Sequence, residues 1–197
     1  HFSGSAARLE QTGGCLPTIR NTADLMKSLR VHRQDVKAPL AQGSVASPCM
    51  HAGGVIGDNT TASMIVELDG QIRVWLTGSS SPCISLFKPW LFGISPFAPV
   101  FTADDPAAQS YWLQRESFHR LAIGRSLPGE FYAERDSLEA GWIALAENSS
   151  ETDFLALTHQ ALAEETAFYH HWSSKLLSLP VAGTRAFQRY WQRKNVA

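Results

Sequence analysis

The feature that most constrains the fold is an Asp-Gly pair, Asp69-Gly70, which separates two runs of alternating residues. Such a pair favours a tight antiparallel hairpin, because both central positions of the turn need positive φ angles. Successive side chains of a strand point to opposite faces, so one face of the hairpin is expected to be core. The first run places Ala62, Met64, Val66 and Leu68 on one face and Thr61, Ser63, Ile65 and Glu67 on the other, and the second alternates Ile72, Val74 and Leu76 with Arg73, Trp75 and Thr77.

A third strand is predicted after a polar segment, Gly78–Pro82, within the apolar run from Ile84 to Phe92. Pro89 lies in the middle of that run and lacks the N–H group that a central strand would donate. We therefore predict a short edge strand, followed by a loop at the rim of the sheet.

Capping residues mark the predicted helices. Asn21 with Asp24 three residues later, and Ser150 with Asp153, have the spacing of helix N-termini, and Pro106 suits a first helical turn. The predicted helical segments are a turn at Ala6–Gln11, a helix from Asn21 to Arg30 or His32, Pro106–Ile123, Gly129–Glu147, a long helix from Ser150 that ends before Pro180, and Thr184–Arg193. Loops are predicted at Gln34–Ser47 and Ile94–Asp105.

A strand region followed by a mostly helical half predicts an α+β fold. The 197 residues are 44% apolar and 18% charged, which is enough to bury one sizeable core. We therefore predict a single domain, residues 1–197, with a sheet core at 47–93 and a helical layer at 104–195.

Charge and cysteine usage exclude several function classes. The formal net charge of −1 gives no reason to expect binding to nucleic acid or to an anionic membrane. The three cysteines are an odd number and form no CxxC pair, so neither a disulfide framework nor a zinc site is indicated. These features predict a reducing, cytoplasmic compartment. They also predict that the protein binds no cofactor and no metal. His159, His170 and His171 also lack a ligand spacing.

Cys49 and His51 are the first candidates for chemistry. Two residues apart in an extended segment, their side chains share a face, which would allow a thiolate and imidazole pair. The alternative is a buried cysteine beside a hydrogen-bonded histidine, and we favour it because free cysteines are often buried. Cys15 and Cys83 receive the same interpretation, although Gly14-Cys15 also resembles the cleavage site of self-processing hydrolases. We predict that Cys49 is not a nucleophile.

Polar residues before the first strand form a second candidate site. Side chains and amides at the mouth of a strand can hold a peptide or acyl carbonyl against a nucleophile that another segment supplies. The predicted substrate-binding residues are Asn59, Thr60, Thr61 and Ser63, together with His51. Ordinary side-chain turns are the alternative for this stretch.

Glu116, His119 and Arg120 share one face of a predicted helix at steps of three and four residues. An exposed ladder of ion pairs has the same spacing. We favour a structural role, in which this group ties the helix to the sheet.

Several short motifs in order resemble the secernin and dipeptidase family of cysteine-dependent N-terminal nucleophile hydrolases. They are LRVH at 29–32, CMH at 49–51, TTASM at 60–64, VWLTG at 74–78, SLFKPWLFG at 85–93, and Tyr111-Trp112 followed by Glu116, His119 and Arg120. The resemblance covers about Arg20 to Arg120 and implies a four-layer αββα sandwich. It also implies that a cysteine at the mature N-terminus is the nucleophile and, through its α-amine, the general base.

The chain begins His1-Phe2-Ser3, without that cysteine. We therefore expect it to be the C-terminal half of a dipeptidase-like hydrolase that cleaves an amide bond, with the nucleophile upstream of His1. The implied partners are the N-terminal half, a peptide or amide substrate, and further copies of the chain. Two alternatives remain: a non-catalytic, secernin-like interaction protein, and a stand-alone helical module that docks through its aromatic C-terminal helices.

Overall fold

The computed structural model describes residues 4–53, 57–69, 71–91, 106–147 and 149–194. Its fold is α+β, as predicted, with helices around a three-stranded antiparallel sheet of order β1-β2-β3. The elements are α1 (Ser5–Cys15), a 3₁₀ turn (Leu16–Thr18), α2 (Thr22–Leu29), α3 (Pro39–Gln42), β1 (Met64–Asp69), β2 (Gln71–Leu76), β3 (Lys88–Leu91), α4 (Pro106–Ala122), α5 (Gly129–Glu147), α6 (Glu151–Ser178) and α7 (Arg185–Lys194).

The predicted hairpin is confirmed. β1 pairs antiparallel with β2, placing Ile65 opposite Trp75 and Glu67 opposite Arg73. β3 pairs with the other side of β2, so the strand that contains Pro89 is an edge strand, as predicted. Gly70 lies outside the described residues.

In β1 the buried face is the one that carries fewer apolar residues, whereas Val74 of β2 is buried on the opposite face. Ile65 and Trp75 are only 5% and 1% exposed, and they belong to the main hydrophobic core. Glu67 is tolerated on the same face because the indole N–H of Trp75 donates to its carboxylate at 2.8 Å. On the opposite face, Met64 and Leu68 are 62% and 80% exposed.

The predicted caps are confirmed. The side chain of Asn21 accepts a hydrogen bond from the backbone N–H of Asp24 at 2.9 Å, and α2 ends at Leu29, slightly earlier than predicted. Ser150 and Asp153 form a reciprocal capping box at the start of α6. Each cap pairs backbone groups that a helix end leaves without intrahelical partners.

Some predicted boundaries are wrong. α1 extends to Cys15, beyond the single turn that was predicted, and the predicted loop at Gln34–Ser47 contains the short helix α3. The described strands lie within the predicted 47–93 sheet core, and α4 to α7 lie within the predicted 104–195 helical layer. The loop predicted at Ile94–Asp105 lies outside the described residues.

A buried ionic group joins the sheet to the helices. Lys88 of β3 is fully buried and donates to Glu165 of α6 at 2.5 Å and to the Thr77 carbonyl at 2.6 Å. Arg115 of α4 donates to the same carboxylate at 2.8 Å. These contacts fix α4 and α6 against the sheet. Among the helices described, none is long and apolar enough to cross a membrane.

Candidate metal centre

Four side chains that can bind a metal meet beside the sheet: His32, Cys49, His51 and Cys83. One ligand atom from each lies within 4.8 Å of the corresponding atoms of the other three. His51 Nε2 is at the centre, at 3.0 Å from His32 Nε2, 3.3 Å from Cys49 Sγ and 3.4 Å from Cys83 Sγ. His32 is half-buried and the other three residues are buried.

The three contacts of His51 Nε2 are close to three edges of a tetrahedral metal site. Zinc binds nitrogen at about 2.05 Å and sulfur at about 2.3 Å, which places two nitrogen ligands about 3.3 Å apart and a nitrogen and a sulfur about 3.6 Å apart. The His32 to His51 contact and the two Cys to His51 contacts lie within about 0.3 Å of those values. Two cysteines and two histidines are also an established zinc ligand set.

Backbone hydrogen bonds bring the first three of these residues together. The N–H of Cys49 donates to the carbonyl of Val31 at 3.3 Å, which holds the Cys49 segment beside the residue that precedes His32. His51 and Ser44 exchange two backbone hydrogen bonds, of 2.7 and 2.9 Å. Cys49 and His51 also lie on one side of this segment, as their spacing predicted, with Sγ and Nε2 3.3 Å apart.

Two of the predicted substrate-binding residues hold this segment in place. Thr60 Oγ1 accepts from the N–H of Met50 at 2.9 Å, and Asn59 Oδ1 accepts from the N–H of Ala52 at 2.6 Å. The Thr60 carbonyl also accepts from the N–H of Ser81 at 2.8 Å, which links the Cys49 and Cys83 segments.

The remaining predicted substrate-binding residues differ in their exposure to solvent. Thr61 is exposed and Ser63 is half-buried, whereas His51 lies inside the cluster. Contact of these side chains with a substrate stays a prediction.

Two arginines fix the segment that carries Cys83. Arg30 donates to the carbonyls of Pro82 and Ser85, both at 2.8 Å, and pairs with both oxygens of Glu139 in α5. Arg135 of α5 donates to the Cys83 carbonyl. Because Arg30 directly follows α2, its guanidinium joins α2, α5 and this segment.

The two thiols differ in acidity. Burial raises the pKa of Cys49 well above its ordinary value, and the hydrogen bond to Cys83 raises it further. Burial would also raise the pKa of Cys83, but the hydrogen bond with Cys49, the charge of His51 and hydrogen bonds with His32 and His51 lower it well below its ordinary value.

A chain of polar side chains leads from His51 away from the cluster. His51 Nδ1 lies 3.4 Å from Ser81 Oγ, which lies 3.0 Å from His119 Nε2. His119 Nδ1 lies 3.5 Å from Glu116 Oε1, and Arg120 donates to that oxygen at 3.2 Å. The predicted face of α4 is thus directed at the cluster, and it connects the helix to the segment between β2 and β3.

The cluster is adjacent to solvent at one side. A cleft of about 630 Å³ between α1 and residues 31–35 is lined by His32, Arg33, Glu10 and Gln11, among others. His32 therefore lies between the cleft and the buried ligand atoms.

Sequence reasoning identified parts of this cluster without combining them. The sequence pairs Cys49 and His51 as a possible nucleophile and base. It places His32 in one of the motifs that carry the family resemblance, and it predicts that Cys83 is a buried cysteine. The absence of a CxxC pair suggested that no metal would bind. That argument was incomplete, because His32 and Cys83 are 19 and 32 residues from His51. The Cys-x-His spacing is the local signal that points to this site.

The chain matches no family model, no curated protein sequence and no solved structure. Function is therefore inferred from the geometry of this cluster.

Proposed function

We propose that the protein binds one zinc-like divalent cation through His32, Cys49, His51 and Cys83. The observation that carries this proposal is the environment of His51 Nε2, which has three other ligand atoms within 3.4 Å. An imidazole nitrogen carries either one proton or one lone pair, so it forms one good hydrogen bond. A cation shared by all four atoms satisfies every contact at once.

The ligand set favours zinc over harder cations. Thiolates and imidazoles suit Zn²⁺, whereas Mg²⁺ and Ca²⁺ prefer oxygen ligands. Four protein ligands complete a tetrahedral zinc site and leave no position for water, which is typical of a structural rather than a catalytic centre. The cation would cross-link three segments: the residues after α2, residues 49–51 and the segment before β3.

Metal analysis of the purified, reduced protein tests the proposal. We expect about one bound zinc per chain, and after exchange into Co²⁺ the thiolate-to-cobalt absorption of a site with sulfur ligands. Cys49→Ser and Cys83→Ser should each lower zinc content and abolish or weaken that absorption. Cys15→Ser is the matched control, because Cys15 is a free thiol outside the cluster. Equal, near-zero zinc and cobalt binding in the wild type and in all three variants would refute the proposal.

A second candidate function is the C-terminal half of a dipeptidase-like hydrolase, as the sequence resemblance implies. The exposed apolar face of the hairpin favours it. Met64, Val66, Leu68 and Ile72 are 62%, 41%, 80% and 40% exposed on one side of β1 and β2. Apolar side chains grouped on a sheet are typical of a surface that another layer covers. In this hypothesis the covering layer and the nucleophile come from an upstream segment.

Light scattering and binding of a hydrophobic dye test the second candidate. We expect the chain to associate and to bind the dye, and Leu68→Lys to reduce both. Leu177→Lys is the control, since Leu177 is 65% exposed on α6, outside the sheet. A monomeric wild type without dye binding would count against the half-fold hypothesis and would leave the metal proposal untouched.

A further inference from the structure

We propose that Ser81, His119 and Glu116 form a positioning relay that holds His51 in the tautomer able to bind a metal. This inference rests on the proposed metal site and adds a role for three side chains that are not ligands. The relay consists of the contacts Glu116 Oε1 to His119 Nδ1, His119 Nε2 to Ser81 Oγ, and Ser81 Oγ to His51 Nδ1.

The carboxylate of Glu116 sets the direction of the hydrogen bonds in the relay. The pKa of Glu116 is about 2: burial would raise it, but His119, Ser80 and Arg120 lower it. An ionised carboxylate only accepts, so Nδ1 of His119 carries a proton. In the relay His119 carries that proton alone, so its Nε2 is an acceptor. The Ser81 hydroxyl then donates to His119, and its oxygen accepts from His51 Nδ1–H.

The relay thereby determines the state of the other ring nitrogen of His51, Nε2. With the proton on Nδ1, the lone pair of Nε2 is directed at the other three ligand atoms. A neutral imidazole binds a metal through the nitrogen that carries no proton. A hydrogen bond from the protonated nitrogen commonly fixes the tautomer and the orientation of the ring. The relay therefore prepares His51 for the cation before the cation arrives.

The backbone of Ser81 indicates that its position is enforced. Its φ angle is +60°, and it is the one described non-glycine residue with a positive φ angle. This conformation costs an L-residue energy and persists only where its surroundings hold it. The side chain is fully buried, and the N–H donates to the Thr60 carbonyl at 2.8 Å. The strain places the hydroxyl between the two histidines.

The first experiment measures the tautomer of His51 in the metal-free protein by long-range ¹H–¹⁵N NMR. We expect the Nδ1–H form in the wild type and a shift toward the Nε2–H form in Ser81→Ala. Ser85→Ala is the matched control, because Ser85 is a buried serine of the same segment that bonds to Ser79 and Ser80 rather than to a histidine. It should leave the tautomer unchanged.

The second experiment measures zinc affinity by competition with a chromophoric chelator. Loss of a group that supports a ligand typically costs about 10- to 100-fold in metal affinity. We expect that loss in Ser81→Ala and in His119→Phe, and recovery of most of it in His119→Gln, whose amide oxygen can accept from Ser81. Ser85→Ala should remain within about threefold of the wild type.

The outcomes separate this inference from the proposed function. Equal loss of affinity in Ser81→Ala and Ser85→Ala, with an unchanged tautomer, would overturn the relay while the metal site stands. A wild type that binds no metal would overturn the proposed function, and the tautomer measurement would still test the relay in the metal-free protein. A wild-type His51 in the Nε2–H form would contradict the relay directly.

Discussion

The Nε2 atoms of His32 and His51 face each other at 3.0 Å, with ring centroids 5.0 Å apart and ring planes tilted by 40°. Two neutral imidazoles at this distance form one hydrogen bond, and a shared cation is the other arrangement that brings both nitrogens so close. The two buried thiols beside this pair favour the cation.

Removal of the metal is expected to lower the unfolding temperature of the wild type. A cation that binds only the folded chain stabilises it by about 2.7 kcal/mol at a hundredfold excess over its dissociation constant. Calorimetry with and without a chelator should show the shift. Cys83→Ser should unfold at a temperature that the chelator does not change, and a wild type insensitive to both chelator and added zinc would contradict a structural metal.

Thiol labelling should divide the cysteines into one reactive and two protected residues. Cys15 is half-buried, whereas Cys49 and Cys83 are buried in the cluster. We expect one thiol to react quickly in the folded, metal-loaded protein and two more only after chelation and denaturation. Peptide mass spectrometry identifies the labelled residues. Fast labelling of Cys49 in the folded protein, with loss of a measured amidase activity in Cys49→Ser, would instead support a nucleophile with His51 as its base.

The buried pair of Lys88 and Glu165 should be costly to break. Removal of one partner of a buried ion pair typically costs about 3 to 5 kcal/mol, and we expect the lower end for Lys88→Met, because Arg115 still faces Glu165. Denaturant unfolding measures this loss. Lys27→Met is the control: Lys27 is 75% exposed and pairs with Asp24 at 3.6 Å, so its removal should change stability by less than about 1 kcal/mol.

Glu116 should make part of the stability depend on acid pH. Its pKa is lowered from 4.5 to about 2, so the stability it contributes is present above pH 4.5 and is lost as the pH falls through 2. That shift corresponds to about 3 kcal/mol. The difference in unfolding free energy between the wild type and Glu116→Gln should shrink by an amount of that order from pH 5 to pH 2. A difference that stays constant over this range would exclude the lowered pKa.

Local patterns in the sequence were sufficient for several elements of the fold. The Asp69-Gly70 pair, the edge strand containing Pro89, and the caps at Asn21 and Ser150 depend on neighbours within a few residues, so each was predicted from a short stretch. Local patterns did not determine which face of β1 is buried. Both faces carry apolar residues, and the choice depends on Trp75 and the helices that pack against it.

The sequence by itself determined that Cys49 and His51 would share a side, because alternation along an extended backbone needs only two residues. Tertiary structure alone decided that His32 and Cys83 would join them. Their approach depends on hydrogen bonds between distant segments, from Cys49 to Val31 and from Arg30 to the carbonyls around Cys83. Such contacts have no fixed spacing in the chain, since the loops between them can vary in length at small entropic cost. A metal site assembled from three segments therefore becomes visible only when the chain is folded.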